Sequence, residues 1–173
     1  ILVHTAEEVW SHIDHPDEEV ESVHLAHWPE PAAEWQDERL HRRWERLLNV
    51  RADVLRGVES LRDADKVAKA METELALHST DSDLRSLLRE RADVLQEMLM
   101  VSRLRVADDV PSEDEWEAVE RGEQEPSLVV GISPAHHEKC DRCWNLRPSV
   151  GEDANHPDLC TRCIRAVDEV NVG

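Results

Sequence analysis

The sequence has no Phe and no Tyr, only five glycines, and no cysteine before position 140. Six tryptophans are its entire aromatic content, and 34% of its residues are charged. With so little glycine, this balance favours helices over a sandwich or barrel. No stretch approaches the roughly 18 consecutive apolar residues of a membrane span, and nothing resembles a signal peptide. Basic residues are also scarce. Twenty Lys and Arg face 39 Asp and Glu, a formal charge of −19. That excludes a protein that coats nucleic acid non-specifically, because phosphate contacts need clustered cations. It leaves room for a local basic patch.

What is present suffices for folding. Apolar residues make up 40% of 173, enough for a real core in one ordinary domain or two small ones. The chain starts Ile1-Leu2-Val3, without Met and already inside an apolar segment, which reads as a fragment of something longer. Ile1, Leu2, Thr5, Val9 and Ile13 recur at helical spacing and predict a helix over residues 1–13. Residues 14–34, rich in Pro, acids and His, predict an extended connection with Val23, Leu25 and Trp28 on one side.

A long amphipathic helix is expected from Glu34 to Arg62, its stripe being Leu40, Trp44, Leu47, Leu48, Val54, Leu55, Val58 and Leu61. After a break at residues 63–65, helix should resume from Lys66 to Leu75. Asp81-Ser82-Asp83 is a candidate N-cap for a further helix to about Met98, with Leu84, Leu87, Leu88, Val94 and Leu95 inside. Three runs look like strands: Glu74–His78, Leu99–Val106 and Ser127–Ile132. A small sheet packed on that helix is the simplest assembly. Residues 107–126 read as an acidic loop with at most Trp116 buried. The expected fold is therefore mainly α with a small β component, divided into residues 1–73 (helical), 74–133 (small α+β) and 134–173 (metal module).

Chemistry concentrates at the end of the chain. Cys140-x-x-Cys143 and Cys160-x-x-Cys163 are separated by sixteen residues, with turns supplied by Pro148, Gly151 and Pro157. Each Cys-x-x-Cys knuckle aims two thiolates at one point, and this separation lets two knuckles fold together around one tetrahedral Zn²⁺. Four thiolate ligands leave no open position for water, so the zinc should be structural. Clustered pairs in an otherwise cysteine-free chain also point to a reducing, cytoplasmic compartment. Disulfides and a redox dithiol are the competing readings. The redox reading lacks its strand–helix context. His136, His137 and His156 are nearby substitutes for a ligand.

Lys139-Cys140-Asp141-Arg142-Cys143-Trp144, Arg147-Pro148-Ser149-Val150-Gly151 and His156-Pro157-Asp158-Leu159-Cys160-Thr161-Arg162-Cys163 closely resemble the C-terminal zinc finger of bacterial isoleucyl-tRNA synthetases. A related finger ends the formamidopyrimidine-DNA glycosylases. Those enzymes need an N-terminal catalytic Pro and a helix-two-turn-helix that are not visible here. Ile1–Trp10 resembles a helix late in the synthetases' anticodon-binding bundle. Ser22–Pro29 is similar to the segment after it, and Arg51–Arg62 with Ala70-Met71-Glu72 to the next stretch. The resemblance departs at 107–126 and at Pro134–His137. It implies the end of an anticodon-binding domain, a junction domain and a zinc finger, with tRNA(Ile) and the rest of a synthetase chain as partners. No membrane or duplex DNA partner is expected.

His12-Ile13-Asp14-His15 imitates the synthetase signature His-Ile-Gly-His, but Asp stands where Gly must let the backbone approach ATP. No Lys-Met-Ser-Lys-Ser loop or phosphate cradle is present. ATP and Mg²⁺ would belong to a catalytic domain outside this chain, and the chain itself is expected to be inactive in amino-acid activation. The acid pairs Glu7/Glu8 and Glu18/Glu19 read as solvated faces.

The candidate RNA contacts follow charge. Residues 39–56 carry six arginines against Glu45 and Asp53, with Arg39, Arg42, Arg43 and Arg46 on one helical side. The segment 136–165 is neutral within a strongly acidic chain, and Lys139, Arg142, Arg147, Arg162 and Arg165 lie in it. Trp144 either packs over the zinc knuckle, the favoured reading, or stacks on a base. The arginines either bind phosphate or pair with neighbouring acids. The alternative function is a zinc-ribbon module that binds protein and has no RNA role.

Overall fold

The computed structural model describes residues 2–14 and 20–171. Ile1, His15, Glu18 and Glu19, named above, lie outside these. The chain forms two compact units, Ile1–Glu38 and Arg39–Gly173.

In the first unit, α1 (Val3–Trp10) is shorter than the expected 1–13 helix. Ser11 N–H and His12 N–H close its end on the Glu7 and Val9 carbonyls. Trp10 Nε1 donates to Val20 O at 3.1 Å, and the Ser22 hydroxyl donates to Glu7. A 3₁₀ turn covers Ala33–Trp35. Val23 is half-buried, whereas Leu25 and Trp28 are exposed.

The second unit is built on α2 (Glu38–Asp63), β1 (Thr73–Ser79), α3 (Ser82–Glu90), α4 (Ala92–Leu99), β2 (Arg103–Val106), β3 (Ala118–Arg121), β4 (Leu128–Pro134) and α5 (Thr161–Asn171). The sheet order is β2-β1-β4-β3. β1 and β2 are parallel, linked through α3 and α4, while β4 runs antiparallel to both β1 and β3. Leu75 and Leu77 of β1, Leu104 of β2 and Leu128, Val130 and Ile132 of β4 alternate onto one face. That face is covered by Leu84, Leu87, Leu88, Leu95 and Leu99 of α3 and α4, and by Leu47, Val50, Val54, Val58 and Leu61 of α2. Gly57 sets how near α2 comes: a Cβ there would lie 2.5 Å from Ile132 Cδ1.

Several expectations are corrected. The helices and the β component are both present, as a mixed α/β assembly on a four-stranded sheet; the corrections concern individual elements. Residues 66–75 are not helical; a 3₁₀ turn at Ala70–Glu72 leads directly into β1. The helix expected from 81 to 98 is broken at Arg91, which leaves the helical region (φ −121°, ψ 20°). Met100 closes α4 in the left-handed conformation (φ 53°), so β2 begins only at Arg103. The core reaches α2 only from Leu47 onward, leaving Leu40, Trp44 and Leu48 of the predicted stripe exposed.

The acidic segment 107–126 is not simply a loop, since it contains β3. Its first half lies over the second sheet face. A Cβ on Gly131 would meet the half-buried Trp116 ring at 2.7 Å and Pro111 Cβ at 2.9 Å. Arg105 stacks on Trp116 at 5.2 Å, and Ser133 Oγ accepts the Glu117 N–H.

Asp81 is the N-cap of α3, as expected, accepting from the Asp83 and Leu84 amides. The Arg46 guanidinium, together with those amides, holds its carboxyl below the usual carboxylate range. A lowered folded-state pKa means that the stabilisation is present above about pH 4, the unfolded value, and fades as pH falls through the folded value. Asp81→Ala should cost about 1 kcal/mol. In urea titrations it should also flatten the acid limb of the stability–pH curve relative to the wild type.

Candidate metal centre and nucleic-acid interface

The module after β4 begins with an isolated antiparallel bridge between Lys139 and Leu146 that closes the first knuckle. Inside it, Cys140 N–H donates to Asn145 O and Trp144 N–H to Cys140 O, at 3.0 and 2.8 Å. Trp144 takes a left-handed backbone (φ 61°) to turn the chain back. The second knuckle is the first turn of α5, where the Cys163 and Ile164 amides donate to Cys160 O. Asp141 N–H to Asp158 O ties the two knuckles together.

The result is a cluster in which the sulfurs of Cys140, Cys143, Cys160 and Cys163 all lie within 4.8 Å of one another. Cys140, Cys160 and Cys163 are buried, with Val150 and Leu159 packed against them. Zn–S bonds of ~2.3 Å in a tetrahedron place sulfurs about 3.8 Å apart, and Cys143 Sγ lies 3.9 Å from Cys160 Sγ. All four cysteines are free thiols, so the disulfide reading fails.

The electrostatics fit a dication. Burial pushes the Cys143 thiol up to about 12 and raises Cys160 as well. Burial pushes Cys140 the same way, but amides of Cys143, Cys160 and Arg142 donate to its sulfur and bring it down to about 6. The pocket therefore accepts one thiolate readily and needs a cation to accept more. Cys160 N–H points at Cys140 Sγ (3.3 Å), and Arg142 Nη1 at Cys163 Sγ (3.7 Å). No histidine joins the cluster among the described residues. His137 Nε2 instead sits 2.6 Å from Glu74 of β1.

The predicted RNA contacts divide into two groups. Arg39, Arg42, Arg43 and Arg46 line one groove of about 330 Å³ between α2 and α3, with Asp83, Ser86, Leu87 and Glu90. Acids engage Arg43 and Arg46. Arg43 pairs with Glu90 at 2.6 Å, and Arg46 with Asp81 at 2.8 Å and Glu125 at 3.0 Å. Arg42 makes no ion pair among the described residues.

In the zinc module, Trp144 is 63% exposed, which corrects the expectation that it packs over the knuckle. Lys139 Nζ lies 5.6 Å above its ring. Arg147 is buried, donating to Ser102 O (3.1 Å) and Glu97 (3.2 Å). It fastens the module to α4 and β2, helped by Ser102 Oγ donating to Leu146 O (2.5 Å). Arg162 reaches the same Glu97 at 3.5 Å.

Sequence reasoning missed Asp53 as a structural centre. Its carboxylate accepts the Glu123 and Gln124 amides on Oδ1 (2.8 and 3.1 Å) and the Glu125 amide on Oδ2 (2.9 Å). That places Glu125 for Arg46. The sequence offered little signal, since Asp53 stands beside the predicted apolar stripe and not in it.

Residues 138–166 match the family described as "Zinc finger found in FPG and IleRS", and residues 1–77 match the "Anticodon-binding domain of tRNA ligase". Nearly the whole chain also aligns with curated isoleucine–tRNA ligases. It is 38% identical over 169 residues to that of Geobacillus thermodenitrificans (strain NG80-2), covering 98% of this chain and 18% of that protein. The chain belongs to the isoleucine–tRNA ligase family. The Gloeobacter violaceus protein is 34% identical over 167 residues, 96% of this chain and 16% of its own length. The Fervidobacterium nodosum protein is 32% identical over 163 residues, 94% and 17%. This chain thus spans about a sixth of the length of the curated relatives it matches. Among the described residues, no helix is long and apolar enough to cross a membrane.

Proposed function

We propose that this chain is the tRNA-binding C-terminal portion of an isoleucine–tRNA ligase, supporting ATP-dependent attachment of isoleucine to tRNA(Ile) in the cytoplasm. The observation that carries this reading is an anticodon-binding segment and a four-thiol finger, in family order, within one chain. Cys140, Cys143, Cys160 and Cys163 would hold one Zn²⁺, which supplies cross-linking and no chemistry of its own. ATP and Mg²⁺ would act in a catalytic domain outside this chain. By role, residues 1–73 would be the end of the anticodon-binding domain, 74–133 a junction and 134–173 the finger.

The groove on α2 and the face carrying Lys139, Arg142, Trp144 and Arg162 are the proposed RNA contacts, with Arg42 the least compensated cation of the groove. Arg46 and Arg147 would act by holding these surfaces in place. A tRNA(Ile) transcript should bind this chain weakly, with affinity falling steeply as salt rises. Arg42→Glu should weaken binding about tenfold and reduce the logarithmic salt slope by about one. Fluorescence anisotropy against the transcript, an unrelated RNA and duplex DNA checks both. Equal affinity for all three would overturn the reading.

A further inference from the structure

The seam between the zinc module and the sheet contains a second cationic feature, distinct from the α2 groove. A cleft of about 220 Å³ opens between α4, the start of β2 and the finger. Arg103, Arg147 and Arg162 line it with Ser149 and Glu97, and the ligand Cys160 backs it. Three guanidinium groups therefore line the cleft with one carboxylate, Glu97, in a chain whose formal charge is −19.

The compensation is incomplete at each arginine. Arg147 is only 8% exposed and spends one N–H on Ser102 O and one on Glu97, leaving three of the five guanidinium donors. Arg162, largely exposed, reaches only the far oxygen of the same Glu97, at 3.5 Å. Arg103 makes no ion pair among the described residues. Its register partner on β1 is Glu74, but that carboxylate faces His137 at 2.6 Å. Beside them Ser149 Oγ accepts the Thr161 N–H at 3.2 Å, fixing a hydroxyl at the lip of the cleft.

We propose that this cleft is a phosphate-binding pocket built by docking the finger on the sheet, taking one tetrahedral phosphate group between Arg103, Arg147 and Arg162. Planar guanidinium forks match phosphate oxygens in pairs, and a partly buried arginine loses little freedom on binding. The phosphate would be a backbone phosphodiester of the tRNA, an assignment that rests on the function proposed above. Free inorganic phosphate offers the same chemistry. Because the pocket has walls from both the sheet and the finger, RNA bound there would also hold the two together.

The test uses the zinc-loaded chain and two probes. Inorganic phosphate, titrated to millimolar concentration while arginine Nε–H and backbone amide signals are followed by NMR, should shift Arg103, Arg147, Ser149 and Arg162. Arg103→Glu changes an exposed residue without an ion pair, so it should leave the fold and zinc content intact. It should weaken phosphate binding at least tenfold. The same variant should weaken tRNA(Ile) transcript binding about tenfold and lower the salt slope by about one. Transcript binding that is unchanged in both Arg103→Glu and Arg162→Glu, with no phosphate-induced shift at the cleft, would overturn the pocket while leaving the tRNA reading standing. Shifts with phosphate but no transcript binding at all would support the pocket as an anion site and overturn the tRNA reading instead.

Discussion

Cys160→Ser should abolish stoichiometric zinc and unfold the finger, residues 139–163, while the sheet of the second unit persists. Wild-type protein should carry one zinc per chain by metal analysis. The expected effect is large because the free energy of a structural Cys₄ zinc, on the order of 10 kcal/mol, is folding free energy for the residues that hold it. Little else holds the finger together, since its own core is three buried cysteines with Val150 and Leu159. Amide hydrogen exchange should show protection lost across 139–163 and retained in β1 and β4. Full protection of 139–163 in the metal-free protein would remove the structural role.

The pH dependence has a defined sign. Without metal, burial keeps Cys143 (about 12) and Cys160 protonated at neutral pH, whereas Cys140 (about 6) is already a thiolate. Zinc binding must therefore expel at least the Cys143 and Cys160 protons. Apparent affinity should rise by at least about a hundredfold per pH unit, one factor of ten per proton, and acid should release the metal. Competition with a chromophoric chelator between pH 6 and 8 measures that slope.

Asp53→Ala should be strongly destabilising for a change at a single polar residue. The side chain is 2% exposed and satisfies three consecutive backbone donors of the turn between β3 and β4. Truncation leaves those amides without an acceptor against α2, where each unmet buried donor costs about 1–3 kcal/mol. Some relaxation of the turn toward water offsets part of this, so a net loss of about 3 kcal/mol is expected. For a chain of this size it lowers Tm by on the order of 10 °C. The loss should spread, because the same turn presents Glu125 to Arg46, which also holds Asp81 at the α3 N-cap. Asp53→Asn keeps one acceptor oxygen and should cost roughly half as much. If the two substitutions are equally mild in thermal and urea unfolding, the turn is anchored by something other than this carboxylate.

Local patterns carried far where the physics is local. The thiol spacing alone brought Cys140, Cys143, Cys160 and Cys163 to one point, because each knuckle closes through its own backbone bonds. The 3.6-residue period located α2, and Asp81 announced α3, since caps and amphipathic stripes act within one turn. The β1 and β4 runs were visible as short apolar segments.

Long-range contacts decided the rest. β3 carries half-buried residues in an acidic stretch and exists only because β4 supplies its hydrogen-bond partners. The 66–75 stretch has a helical pattern, yet its end is drawn into the sheet between β2 and β4. Asp53 looked like an ordinary polar residue on a helix until a turn some 70 positions away placed three amides on it.

Charge behaved the same way. Sequence grouped Arg39, Arg42, Arg43 and Arg46 correctly on one groove, but acids distant in the chain determined which of them are neutralised. Arg147, open by sequence between binding phosphate and pairing with an acid, is buried against Glu97, while Trp144, expected to pack over the knuckle, lies exposed. By itself the sequence determined the four-thiol cluster, the principal helices and the family, because these rest on residues near one another or on order along the chain. Only the tertiary structure determined which charges remain uncompensated and where the finger sits on the sheet, because Coulomb partners and docking surfaces depend on distance in space.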